Sequence, residues 1–422
     1  MMRFLYTLLL YTLVPRALLH LLLRSRKQPA YLDDIGERFG VYKPKPAGRL
    51  IWVHAVSVGE TRAAQPLIRA LQCARPDHRI LLTHMTPTGR ETGHGLFGES
   101  VDQCYLPYDF PWAVARFLDR FQPVCGIVME TEVWPNLIRA CHARAIPLHL
   151  VNARLSDKSF RRYRRFSRLT AQSLRELTAI AAQSADDAGR LSALGADEVK
   201  VTGNLKFDIE PNAEELALGA QWRAGYRSRA VLLAASTRDG EEALLLDALK
   251  AVQLPELLFV IVPRHPQRFN DVAALLERSG LAYQRRSANE PVAPQTRVLL
   301  GDSMGEMFAY LAACDVVLIG GSLLPFGAQN PIEACAVGRP FVIGPSIYNF
   351  TEATQLALAA GAAIQVRDAA EMLAKAAELL QDQARASRMG AAALAFARSH
   401  RGATARVLNL IKFADAREPS AR

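Results

Sequence analysis

The sequence predicts an α/β protein built from two consecutive doubly wound domains. From residue 49 onward, short apolar β-branched runs alternate with amphipathic stretches, the rhythm of parallel sheets covered by helices on both faces. The rhythm pauses at a polar helical stretch, 210–225, and then restarts. Within the second half, residues 315–350 (DVVLIGGSLLPFGAQNPIEACAVGRPFVIGPSIYNF) read as a complete βαβ unit. There the strand 316–319 meets Gly320, Gly321 and Ser322, which permit a sharp turn. Asn330 and Pro331 suit the N-cap and first turn of a helix over 332–337, and Gly338 precedes a strand over 340–343. Ligands of such units sit where the strand ends and the helix begins.

Composition narrows the class. The 422 residues suffice for two full cores, half of them are hydrophobic and 22% are charged. The net charge of +10 suits an anionic membrane face or a phosphorylated substrate. Nucleic acid fits less well, because no zinc-finger spacing or aromatic-basic interleaving accompanies the charge. Six cysteines without a CxxC pair read as reduced core residues of a cytoplasm-facing protein. GxGxxG, GxxxxGK[ST] and a histidine metal cluster are all missing, which removes the main support for dehydrogenase, P-loop and metal-site readings.

Taken in order, residues 4–23 are nearly all apolar and about as long as a membrane-crossing helix, with Pro15, Arg16 and His20 interrupting. Arg24, Arg26, Lys27, Arg38 and Lys43 follow, which keeps the downstream chain on the cytoplasmic side. Two arrangements stay open: one spanning anchor helix, or a helix lying in the interface. Strands are expected over 50–55, 80–83, 124–129, 147–152, 180–183 and 199–202 in the first half. In the second they are expected over 231–235, 257–262, 297–300, 316–319 and 340–343. A very basic helical stretch carries Arg161, Arg162, Arg164, Arg165 and Arg168. The expected organisation is a membrane-attachment segment over 1–45, a first domain over 46–209, and a second over 210–422 that includes the Ala- and Leu-rich C-terminal helices.

Several strand ends carry chemically useful residues. Ser57-Val58-Gly59-Glu60 matches the capping-box pattern, so Glu60 either satisfies backbone donors or, at a strand's carboxyl edge, accepts a proton from an attacking hydroxyl. Glu130 and Glu132 follow an apolar run and alternate as in extended backbone. Beside Glu60 they would raise a carboxyl pKa. Arg264 and His265 follow another strand, and a guanidinium suits a pair of phosphate oxygens. Ser236-Thr237-Arg238 offers a similar turn, and Met304-Gly305-Glu306 would open a helix whose amides face a phosphate or base edge. Lys206 would neutralise a departing phosphate. Glu333, in the first turn after Asn330, is either a helix-favouring carboxylate or an acceptor for ribose hydroxyls.

Nine ordered motifs carry a family resemblance: HAVSVGE, TPTGR, METEVWPNL, NARLSDKS, GNLKFD, VPRHPQRF, GDSMGEM, GGSLLPFGAQNPIEA and GPSIYNF. Together they resemble the bacterial 3-deoxy-D-manno-octulosonic acid (Kdo) transferases, over the chain up to about residue 350. The resemblance implies a GT-B glycosyltransferase, two Rossmann-like domains with the active site in the cleft between them. It implies that the first domain binds the lipid A precursor, the second binds CMP-Kdo, and no metal is needed. By the same resemblance Glu60 is the catalytic base, and Glu130 and Lys206 support the transition state. CMP contacts fall on Pro263, Arg264, Met304, Gly305, Glu306, Asn330, Pro331, Ile332 and Glu333. The residues alone also fit a GT-B enzyme using a UDP-sugar, either a transferase or an epimerase, or a membrane-tethered nucleotide-binding module. The family commonly reads GGHN where this chain has Gly327-Ala328-Gln329-Asn330, and an alanine there is expected to resist the positive-φ conformations glycine allows.

Overall fold

Apolar runs that alternate their side chains between two faces build two parallel sheets. The computed structural model of the chain describes residues 2–26, 28–42, 48–252, 254 and 256–414. The first sheet contains β1 (Arg49–His54), β2 (His78–His84), β3 (Asp102–Tyr105), β4 (Cys125–Met129), β5 (Leu148–Ala153), β6 (Ala179–Ala182) and β7 (Val199–Val201). Their order is β3-β2-β1-β4-β5-β6-β7, with every pair parallel. Along β1, Ile51 and Val53 join a core with Ala63, Leu67 and Leu71, while Leu50 and Trp52 join another with Phe117 and Leu137. Both faces of the sheet are thus covered, as a parallel sheet requires.

The second sheet contains β8 (Val231–Thr237), β9 (Leu258–Pro263), β10 (Tyr283–Arg285), β11 (Val298–Leu300), β12 (Val316–Ile319), β13 (Phe341–Ile343) and β14 (Ala363–Gln365). Their order is β10-β11-β9-β8-β12-β13-β14, again all parallel. In both sheets the winding reverses beside the first strand. It does so between β1 and β4 in one and between β8 and β12 in the other. Crevices open at such switch points, at the carboxyl ends of the strands.

Two compact units result, residues 1–208 with 401–422, and residues 209–400. This corrects the expectation that everything after 210 belongs to the second domain. The helix Ala403–Leu408 returns to the first unit, where Ala403, Val407 and Ile411 are buried in its core. Asp208 fastens it, accepting from the N–H groups of Gly402 (2.6 Å), Ala403 (3.3 Å) and Thr404. The reason is packing: the core face of this helix fits the first sheet's covering layer beside Val58–Ala74.

A second correction concerns the N-terminus. The expected continuous helix over 4–23 is two helices, Met2–Thr12 and Val14–Ser25, bent by 45°. Pro15 sits in the first turn of the second helix, where its missing N–H and fixed φ favour a new start. Among the described residues no single helix is long and apolar enough to cross a membrane, and only the bent pair passes that test jointly. Phe4, Leu5, Leu8 and Leu9 are exposed, whereas Tyr6 and Thr7 bond to the first unit. Lys27, Lys43, the expected boundary at 45/46 and the tail 415–422 lie outside the described residues.

Candidate active site

The first unit gathers acidic residues where its sheet reverses. Glu60 is the third residue of the helix Val58–Ala74, directly after β1. The capping-box expectation is met only in part. Ser57 is the N-cap but its side chain caps no backbone N–H. Instead its hydroxyl donates to Glu60 Oε1 at 3.1 Å, while Glu60 Oε2 accepts from the Val56 N–H at 2.7 Å. Burial pushes the Glu60 carboxyl up to about 7; the Val56 hydrogen bond opposes this, and the nearby charges of Glu130 and Glu132 add to it. A carboxyl group poised there exchanges a proton readily near neutral pH.

Glu130 follows β4, across the switch point from Glu60. The extended backbone expected there is not found. Glu130 adopts φ +59°, a left-handed conformation costing roughly 1–2 kcal/mol for a residue with a Cβ. Such strain concentrates at functional sites. Lys206 Nζ lies 3.5 Å from Glu130 Oε1. Glu132 accepts from the Trp134 indole N–H at 2.6 Å, and burial raises its carboxyl pKa. His54 is fully buried and held down to about 3, chiefly by burial, so it stays neutral. Its Nδ1 lies 2.9 Å from the Thr83 hydroxyl.

Lys206 reaches Glu130 because the turn Leu205–Phe207 is pinned over the strand ends. Asn204 Oδ1 accepts from the Lys206 N–H, and Asn152 Oδ1 from the Leu205 N–H, both at 3.0 Å. Asn152 is itself in the left-handed region, φ +55°, and fully buried. It opens the NARLSDKS motif, but the motif alone does not reveal this pinning role; asparagine at a strand end is the residue that best tolerates this backbone.

In the second unit, β8 and β12 approach so closely at their carboxyl ends that a Cβ on Gly320 would meet the Ser236 carbonyl oxygen at 2.4 Å. Ser236 has φ +58° and interrupts the register between β8 and β9. Glu241, 1% exposed, joins the two loops: its carboxylate accepts from the N–H groups of Arg238 (2.8 Å), Gly321 (2.6 Å) and Leu323 (3.0 Å). Glutamate in a first helical turn looks like routine N-terminal preference in sequence, which conceals this role.

Pro263 ends β9, and the Arg264 N–H donates to the Thr237 carbonyl at 2.9 Å, bringing that segment beside the β8 loop. Two expectations on this edge are corrected. Met304, Gly305 and Glu306 do not open a helix. The helix starts at Met307 with Glu306 as its N-cap, and Gly305 turns at φ +77°. The cause is that Glu306 is held by Arg286 (2.9 Å) and by the Ser303 hydroxyl, which stabilises a loop. Likewise Pro331, not Asn330, is the N-cap of Ile332–Ala336. Asn330 acts one residue earlier, its Oδ1 accepting from the Ile332 N–H at 3.1 Å and its amide lying 3.5 Å from Glu333. Ala328 adopts φ +66° despite its Cβ, its N–H donating to the Gly321 carbonyl at 2.7 Å. Ala328 thus takes up the positive-φ conformation an alanine was expected to resist.

The first edge thus combines a carboxyl able to take a proton with a lysine–carboxylate pair. The second presents glycine-rich loops at strand ends. Among the described residues no group of three or more His, Cys, Asp or Glu is arranged to hold a metal ion.

Two doubly wound parallel sheets in tandem define a GT-B-like protein. The structure of UDP-GlcNAc 2-epimerase from Neisseria meningitidis bound to UDP-GlcNAc is similar, with TM-score 0.54, 16% identity, and coverage of 86% of this chain and 99% of that one. So is MurG from Acinetobacter baumannii, with TM-score 0.52, 16% identity, and coverage of 86% and 99%. At such identities the likeness is one of fold alone. Sequence relationships go further. The family described as "3-Deoxy-D-manno-octulosonic-acid transferase (kdotransferase)" matches residues 33–209. The 3-deoxy-D-manno-octulosonic acid transferase of Bordetella pertussis is 44% identical, covering 96% of this chain and 98% of that protein. That of Haemophilus influenzae is 39% identical, covering 98% of each. The chain belongs to the 3-deoxy-D-manno-octulosonic acid transferases, and is therefore a glycosyltransferase that transfers Kdo.

Proposed function

We propose that this transferase moves Kdo from CMP-Kdo to a sugar hydroxyl of the lipid A precursor, in synthesis of the lipopolysaccharide core. Glu60 accepts the proton of that hydroxyl as its oxygen attacks the anomeric carbon, and CMP leaves in a single inverting displacement. Glu130 holds Lys206 in place, and Lys206 and Arg264 offset the charge growing on the leaving phosphate. Pro263, Arg264, Met304, Gly305, Glu306, Asn330, Pro331, Ile332 and Glu333 contact CMP. Charge relief by these cations lets the transfer proceed without a metal ion.

The observation that carries this reading is Glu60. It is fixed by two hydrogen bonds at the first sheet's switch point and is pushed up to about 7. A UDP-sugar donor has less support, since the proteins named with UDP share only the fold. The exposed residues Phe4, Leu5, Leu8 and Leu9 and the basic run Arg161–Arg165 support attachment to anionic lipid. We assign that attachment to the cytoplasmic face of the bacterial inner membrane, where the acceptor lipid is made.

The pH–rate profile tests the base. Transfer by the wild type is expected to rise about tenfold per pH unit up to about pH 7 and then level off. A flat profile from pH 5 to 8 would rule out Glu60 as the base.

A further inference from the structure

Asp109 lies in none of the motifs above, yet it is 3% exposed and its carboxylate is shared between two distant segments. Oδ1 accepts from the Leu137 N–H at 2.8 Å, and Oδ2 from the Asn136 N–H at 3.0 Å and the Tyr6 hydroxyl at 3.0 Å. Asn136 and Leu137 stand at the second and third positions of the helix Pro135–Ala143. That helix has no side-chain cap of its own, because its N-cap is Trp134. Asp109 therefore supplies the missing cap from elsewhere in the chain. The Asn136 amide returns the contact, donating to the Asp109 carbonyl at 2.7 Å and to the Thr7 hydroxyl at 3.1 Å.

The capped helix begins where the carboxylate loop ends. Trp134 donates to Glu132, and its ring meets His54 edge-on at 6.1 Å. Glu130 lies four residues before Trp134. On the other side, Tyr6 and Thr7 belong to the helix Met2–Thr12, and Tyr11 of that helix stacks on Phe110 at 5.2 Å. Phe4, Leu5, Leu8 and Leu9 leave the same helix exposed elsewhere. Two backbone donors suffice to cap a helix, so the Tyr6 and Thr7 bonds do something more. They tie the capped helix start to the N-terminal helix.

We propose that Asp109 is a positioning residue for the Glu130–Trp134 loop, and that Tyr6 and Thr7 couple its hold to docking of the N-terminal helix. When that helix leaves, Asp109 loses its side-chain donor and water reaches the cap, so the loop loosens. Docking of the helix then governs the rate of transfer rather than donor binding. The coupling itself rests on geometry. Only its effect on rate rests on the transferase reading.

Tyr6→Phe in the full-length chain tests it, since the ring's packing is kept and one hydroxyl is removed. Peptide-resolved hydrogen exchange should show Asn136 and Leu137 exchanging roughly tenfold faster, with β2 unchanged, as expected for one lost hydrogen bond to a carboxylate. The kcat for transfer from CMP-Kdo should fall by a similar factor with KM for CMP-Kdo unchanged. Asp109→Asn should enlarge both effects, and if it fails to fold, Tyr6→Phe decides alone. Exchange unchanged at Asn136 and Leu137, or raised equally across the first unit, would overturn the coupling. If the wild type transfers nothing from CMP-Kdo, the exchange measurement still decides the coupling, and only the transferase reading falls.

Discussion

Replacing Glu60 by glutamine separates catalysis from stability. The carboxyl is ordinarily half-ionised near 4.5 and is held near 7 in the folded chain. Because the folded state binds this proton more tightly, the associated stability is fully present below about 4.5 and is lost as pH rises through about 7. Above that, the ionised group costs the first unit up to roughly 3 kcal/mol. Glutamine carries no charge, and its carbonyl still accepts from the Val56 N–H, the 2.7 Å bond of the wild type. Glu60→Gln is therefore expected to be more stable than wild type by up to about 3 kcal/mol at pH 8, with the advantage nearly gone by about pH 4. Urea unfolding followed by tryptophan fluorescence reads this, since Trp52, Trp112 and Trp134 all lie in the first unit. Equal destabilisation at both pH values would show that Glu60 is a structural cap, and would refute the reasoning.

Other outcomes follow from the same geometry. Lys206→Ala removes the cation beside Glu130, and transfer should fall roughly 10²–10³-fold with melting little changed, as for other lost charge-stabilising groups. Asn152→Ala strains the left-handed backbone that asparagine tolerates and loses the bond to Leu205, and should cost about 2 kcal/mol in chemical unfolding while slowing transfer through Lys206. Gly320→Ala drives a Cβ into the Ser236 carbonyl, so calorimetry should show the second unit melting earlier by the equivalent of about 3 kcal/mol, with the first unit unmoved. Chelation by EDTA should leave the transfer rate unchanged, and a rate lost to EDTA and restored by a divalent ion would contradict a metal-free reaction.

The central strands are legible because burial on both faces writes them as unbroken apolar runs, as in β1, β4 and β12. The three strands without a sequence signal, β3, β10 and β14, are sheet edges. They are short and carry polar residues such as Asp102, Gln103, Gln284 and Arg285, because an edge strand has one partner and solvent on its other side. The return of Ala403–Leu408 to the first unit is invisible because helical periodicity shows that a face is buried, not which sheet buries it. Glu60, Glu130 and Lys206 stand out as charges at strand ends. Asn152, Asp109 and Glu241 do not, since their work is to hold distant backbone groups that only the fold brings near.

The most direct test of the central claim is transfer of labelled Kdo from CMP-Kdo to a tetraacylated lipid A precursor, by wild type and by Glu60→Gln. The account predicts product from the wild type and a loss of several orders of magnitude in the variant, whose fold is intact. Near-normal product from Glu60→Gln, or none from the folded wild type, would contradict it.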